Sequence, residues 1–298
     1  MAAISRLEEI LIGRQTSAGG WSFFESTQIS VEATCFALLA LAALKPDYGS
    51  GRIDGLLGLQ RRDGSWPAFS GDQDGSWTTA LAMIVLNITS DGVPARGRAL
   101  HWLLQKHGRE ANWLWRWKFK TADRNVRFDP DKYGWPWILD SASWVIPTAF
   151  SIIAIKQFTV CNRSELSERR IRLGVEMLLD RVCVGGGWNS GNSVVYEAPL
   201  LPHVEATAIA LLALQGEKRT PAIRTSLAWL KQHSIKTAES LAWSVLSLFA
   251  YQEPVDHLKT QLAALIEDDS EMRNNSTLAT ALLALKCGEM IHPFMVLR

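Results

Sequence analysis

The chain has 298 residues, 47% of them hydrophobic and 20% charged, which excludes a disordered or low-complexity polypeptide. Lys and Arg total 31 against 30 Asp and Glu, so a net charge of +1 draws it neither to nucleic acid nor to an anionic surface. Thirteen tryptophans, about 4.4% of the chain, exceed what a soluble domain needs and point to an architectural or ligand-directed use of indole.

In chain order, two kinds of helix alternate. An amphipathic helix is predicted over 4–15, followed by a Gly20-Trp21 turn and an apolar helix with its core at 32–41. The same pair recurs as 53–60 then 77–86, 96–106 then 146–155, 167–181 then 205–214, 222–232 then 239–248, and 255–267 then 276–285. Each apolar segment shares a frame anchored at its third residue: Thr34, Thr79, Thr148, Thr207, Leu241 and Leu278. Three residues on sits a small residue (Ala37, Ala82, Ser151, Ala210, Ser244, Ala281), giving a narrow stripe where another backbone can approach. Helices apolar nearly all round are predicted to be inner, and the amphipathic ones outer. Six outer and six inner helices predict an all-α fold, an α6/α6 toroid forming a single domain over 1–298 around a central cavity.

The turns carry a second signal. Trp21, Trp66 and Trp135 each lie 13 residues before their anchor threonine, whereas Trp188 lies 19 before Thr207, an insertion of six. Two of them close a Gln-x-x-x-Gly-x-Trp pattern, from Gln15 and from Gln60. Gln is expected to satisfy helix-end groups, Gly to supply a left-handed turn, and Trp to cover the open end of the hairpin. The longest interval between anchors, Thr79 to Thr148, holds the alternating aromatic and basic run 113–120. Its period of two suggests a hairpin or extended flap, with Lys118, Lys120, Arg124 and Arg127 on a solvated face or greeting a diphosphate.

These residues resemble the squalene–hopene cyclase and protein prenyltransferase repeat superfamily, over nearly the whole chain. The segment Gly134-Trp-Pro-Trp with Ser143-Trp-Val-Ile-Pro-Thr-Ala149 is similar to its small single-domain bacterial members. The resemblance implies a terpenoid cyclase-like protein, acting on or binding an apolar isoprenoid by proton-initiated cyclisation. The zinc-binding Asp-x-Cys pattern of the prenyltransferases is absent, so no metal or other cofactor is expected. Laid on the repeats, the class II acid motif falls on His203-Val-Glu-Ala-Thr-Ala208, which makes Glu205 the expected acid and His203 its neighbour. Glu replaces the usual Asp there, and Glu32 and Glu239 hold the same position in their own repeats, where helix-start stabilisation explains them equally well. Asp72-Gln-Asp-Gly75 lies too early relative to its anchor and reads as a turn.

Carbocations need desolvated aromatic faces, each worth ~0.5–2 kcal/mol. Trp77, Trp144 and Trp243 near inner-helix starts, with Phe36 and Phe150, are the expected substrate contacts, core packing being the alternative. A non-catalytic toroid that binds without an acid is the competing function. A carbohydrate enzyme on an α6/α6 barrel, with paired carboxylates, is disfavoured by the Ala/Leu-rich inner helices. The four cysteines form no Cys-x-x-Cys pair, and no signal-peptide pattern opens the chain, so the cytoplasm is expected. The apolar tail 290–297 is expected to dock on the helices, or else to touch a bilayer as a peripheral anchor.

Overall fold

The computed structural model describes residues 2–24, 28–45, 52–89, 92–122, 125–160, 162–233, 235–267 and 273–296. Cys161, Arg124, Leu297 and Arg298 lie outside them. All six inner helices form: α2 (Val31–Leu44), α4 (Thr78–Thr89), α7 (Val145–Thr159), α9 (Val204–Ala213), α11 (Ala238–Ala250) and α13 (Asn275–Lys286). The outer helices are α1 (Ala2–Gly13), α3 (Asp54–Gly58), α5 (Val93–Gln105), α8 (Glu165–Asp180), α10 (Pro221–Gln232) and α12 (Asp256–Leu265). The inner set is almost wholly buried. Leu38 to Leu41 of α2, Ala80 to Leu86 of α4 and Ala208 to Ala213 of α9 are at most 3% exposed.

The chain divides into two compact units, 1–102 with 235–295, and 103–234 with 296–298. Within the first, α13 packs against both α2 and α11, and α2 also packs against α4. Within the second, α7 packs against α9. The outer helices dock on the inner helix that precedes them: α3 on α2, α8 on α7, α10 on α9 and α12 on α11, while α1 docks on α13. The packed hairpin is therefore inner-then-outer, although the turn motifs join outer to inner.

Those turns are hydrogen-bonded staples. The backbone N–H groups of Trp21, Trp66, Trp135 and Trp188 each donate, at 2.9 Å, to the hydroxyl of Thr34, Thr79, Thr148 and Thr207. Each indole Nε1–H in turn donates to a carbonyl at the end of an outer helix: Leu11 at 2.7 Å, Leu56 at 2.7 Å, Leu103 at 2.8 Å and Leu178 at 2.6 Å. One residue thus bonds a carbonyl in the last turn of the outer helix and ties the next inner helix to it, while it is at most 2% exposed. Tryptophan, not glutamine, takes the helix-end carbonyl. Gln15 and Gln60 instead donate to the turn carbonyls of Gly19 and Gly64, whose φ values of 81° and 93° require glycine.

The run 113–120 is not a flap. Helix α6 spans Trp113–Thr121, opened by Asn112, whose side chain accepts from the Leu114 N–H. Alternate residues in a helix are 200° apart, so the aromatic run splits between two faces. Trp113 and Trp117 are 75% and 60% exposed, whereas Trp115 packs on Phe119 and Phe119 on Phe128. The expected diphosphate cations are engaged otherwise: Lys120 pairs with Asp131 at 2.5 Å and Lys118 sits over the Trp115 ring.

Candidate functional site

The six-residue insertion before Thr207 builds the most distinctive local structure of the second unit. Strands β1 (Val194–Val195) and β2 (Ala198–Pro199) pair antiparallel through a Tyr196-Glu197 turn. Both turn residues are left-handed, with φ of 48° and 63°, a conformation that costs non-glycine residues energy and is found disproportionately at functional sites. Upstream, Asn189 folds the loop onto itself. Its Oδ1 accepts from the Gly191 N–H at 2.9 Å and its Nδ2 donates to the Asn192 carbonyl at 2.7 Å. The Val145 N–H donates to the Ser190 carbonyl at 2.9 Å, pinning that loop to the start of α7.

Between loop, hairpin and helix lies a cleft of about 520 Å³, whose walls include Trp144, Asn189, Asn192, Leu201 and His203. Two expected site residues, Trp144 and His203, are thus brought together. Gly191 runs so close to the Trp144 ring that a Cβ there would lie 3.1 Å from it. His203 is the exposed N-cap residue of α9 and its side chain makes no capping hydrogen bond. Glu205 follows in the first turn of α9, half-buried.

Ser143, the residue before Trp144, is held by a buried ion pair. Arg181 and Glu110, 2% and 0% exposed, meet at 3.0 Å. The Ser143 N–H donates to both Glu110 oxygens at 3.1 Å, and Arg181 Nη1 donates to the Ser143 carbonyl at 2.8 Å. Burial pushes the Arg181 guanidinium below its ordinary value, with the Glu110 charge opposing.

The remaining aromatic residues split. Trp77 is half-buried just before α4, and Phe150 is 1% exposed on α7. Phe36 and Trp243 meet edge to face with ring centres 5.6 Å apart, and Phe294 of the tail packs on both, at 6.3 and 5.3 Å. Phe294 is fully buried and His292 beside it is 1% exposed, so this part of the tail packs within the first unit. No helix among the described residues is long and apolar enough to cross a membrane.

One helical turn before the Phe36–Trp243 contact, toward the helix starts, stand Glu32 of α2 and Glu239 of α11. Ser30 and Thr237 cap these helices, accepting from the Ala33 and Ser240 N–H groups. Glu32 is half-buried by surface area, yet its carboxyl is largely desolvated. Burial first, and the charge of Glu239 second, push it up from an ordinary 4.5 to about 7. Among the described residues no ion pair reaches Glu32 to oppose this. Sequence reasoning gave Glu32 a helix-start role. The signal that could have found it was a pair of glutamates at one helical position in the first and fifth repeats, the two that flank the sixth. No group of three or more His, Cys, Asp or Glu able to hold a metal occurs among the described residues.

No family model matches the sequence, and neither does any curated protein. Solved structures do match the fold. An α-amylase from Clostridium perfringens aligns over 96% of this chain and 98% of its own, with TM-score 0.64 at 9% identity. An inactive variant of a Salegentibacter α-1,6-mannanase, in complex with α-1,6-mannotriose, aligns over 96% and 98%, with TM-score 0.62 at 9% identity. A family 8 endoglucanase from Klebsiella pneumoniae aligns over 95% and 98%, with TM-score 0.59 at 14% identity. The chain has the α/α toroid fold.

The likeness corrects the expected chemistry. The three solved structures just named, each aligned over nearly its whole length, are an α-amylase, an α-1,6-mannanase in complex with α-1,6-mannotriose, and an endoglucanase. The terpenoid cyclase reading and the apolar isoprenoid partner therefore fall. The physical reason is local. Phe36 and Trp243 spend their apolar surface on each other and on Phe294, and the carboxyl held near neutrality belongs to Glu32. The turn motifs that carried the resemblance are helix staples, which serve the toroid whatever its chemistry.

Proposed function

We propose that this chain is a carbohydrate-acting enzyme, with Glu32 as proton donor and Glu239 as its partner carboxylate. The observation that carries the reading is a pair of carboxylates one helical turn before the Phe36–Trp243 contact on α2 and α11, Glu32 half-buried and pushed up to about 7 partly by the charge of Glu239, and Glu239 exposed. The carbohydrate chemistry of the enzymes sharing this fold supports it, though fold alone does not assign function. In the proposed step the Glu32 carboxyl gives its proton to the glycosidic oxygen as the bond to the anomeric carbon breaks. Glu239 either takes a proton from the attacking water or bonds to the anomeric carbon, to be released by water in a second step. Both routes consume one water: in the first the proton taken by Glu239 passes to solvent and Glu32 is reprotonated from solvent, and in the second Glu32 takes its proton back from the incoming water.

The test is turnover of α-1,6-mannotriose, maltotriose and cellotriose by the intact chain, followed by chromatography. Glu32→Gln keeps the shape and loses the transferable proton, so kcat is expected to fall about 10²–10⁴-fold. Glu205→Gln and His203→Gln are assayed beside it. Absence of cleavage of all three sugars overturns the reading, and so does loss of turnover in the α9 variants with Glu32→Gln unimpaired.

A further inference from the structure

We propose that the cleft walled by Trp144, Asn189, Asn192 and His203 is a binding subsite for a neutral pyranose, with the Trp144 indole beneath the sugar's C–H face. This rests on the carbohydrate reading but on different residues. Its volume of about 520 Å³ falls within the range of ligand sites. None of its wall residues is Asp, Glu, Lys or Arg, so no fixed charge in it selects a phosphate, a carboxylate or an ammonium group. A second cleft, between the ends of α7 and α9, is the opposite case. It holds Lys156, Arg163, Glu168 and Glu217, and Lys156 is already bound to Glu217 at 2.6 Å.

What the neutral cleft offers is the Trp144 ring and an aliphatic wall that includes Val195, Pro199 and Leu201, with the polar atoms of Asn192 and His203 beside them. The Oδ1 of Asn192 is buried and accepts no hydrogen bond among the described residues. An unmet buried acceptor costs about 1–3 kcal/mol, which a donor on the ligand would relieve. A hydrocarbon cannot supply that donor, whereas a sugar hydroxyl can. The adjacent exposed imidazole of His203 can donate or accept to a second hydroxyl. The site is also built rather than incidental. The Asn189 bonds shape the loop, Gly191 abuts the indole, and the Glu110–Arg181 pair fixes Ser143 just before Trp144. The hairpin that closes the wall carries two left-handed non-glycine residues.

The experiment is tryptophan-fluorescence and calorimetric titration of the intact chain with α-1,6-mannotriose, maltotriose and cellotriose, and with farnesol as an apolar probe. At least one trisaccharide is expected to bind, with affinity reduced tenfold or more by Trp144→Ala. Asn192→Leu, which retains the Trp144 packing, is expected to weaken binding by a comparable factor, and a melting curve confirms that each variant is folded. The subsite is overturned if no trisaccharide binds, if both cleft variants bind normally, or if farnesol occupies the cleft in preference to sugar. Failure of the acid alone looks different: sugar binding depends on Trp144 and Asn192, and turnover is indifferent to Glu32.

Discussion

At the scale of single residues, two buried ionisable groups pull stability in opposite directions with pH. Glu32 has a folded value near 7 against an unfolded value near 4.5, so the native state holds the extra proton between them. Its contribution therefore declines as pH rises from about 4.5 to 7. Burial pushes His292 down from 6.5 to about 4, so the native state resists protonation and stability rises with pH between 4 and 6.5. Over the shared window the two slopes offset each other. Glu32→Gln removes the falling slope, so urea midpoints of that variant at pH 4.5, 5.5 and 6.5 should climb more steeply than wild type. A profile parallel to wild type would place the Glu32 carboxyl in ordinary solvent. Burial pushes the Cys287 thiol up to about 12 and the Cys35 thiol well above its ordinary value, so both stay protonated and inert in this range.

At the scale of elements, the Trp–Thr staple is the repeated unit of stability. Trp66→Ala removes a fully buried ring and its indole bond to the Leu56 carbonyl, an expected loss of about 3–5 kcal/mol in unfolding free energy. Thr79→Val keeps the volume and orphans the Trp66 N–H, at an expected cost of about 1–3 kcal/mol. Because they share one hydrogen-bonded corner, the double variant should cost less than the sum. Chemical denaturation of all three variants checks both points. The Glu110–Arg181 pair behaves differently. Glu110→Ala strands a buried guanidinium and is expected to cost about 3–5 kcal/mol, whereas replacing both partners by Leu and Met should recover most of it. If the double replacement were as unstable as the single one, the Ser143 bonds rather than the stranded charge would be the main cause.

At the scale of the molecule, the tail completes the first unit. Phe294 is fully buried against Phe36 and Trp243, and Lys259 donates to the Cys287 carbonyl at 2.8 Å just before the tail begins. Ending the chain after Gly288 exposes that aromatic pair. The expected result is a melting temperature lower by several degrees, with Phe294→Ala alone costing about 3–5 kcal/mol. Unchanged melting of the shortened chain would show that the tail rests on the unit without supporting it.

The sequence by itself determined the repeat. Apolar periodicity located all six inner helices, and the 13-residue Trp-to-Thr spacing marked the staples, because both depend on residues close in the chain. It also marked the insertion before Thr207 that became the cleft wall, without revealing that Asn189 and the Tyr196-Glu197 turn shape it. The aromatic run 113–120 was misread because a period of two fits a strand face and, equally, two opposite faces of a helix capped by Asn112. Only tertiary structure decided which glutamate is desolvated. Glu32, Glu205 and Glu239 occupy the same position in their repeats, and nothing local ranks them. Desolvation and like-charge repulsion act through space, and α13 packing between α2 and α11 brings repeats one and five near enough for Glu239 to act on Glu32.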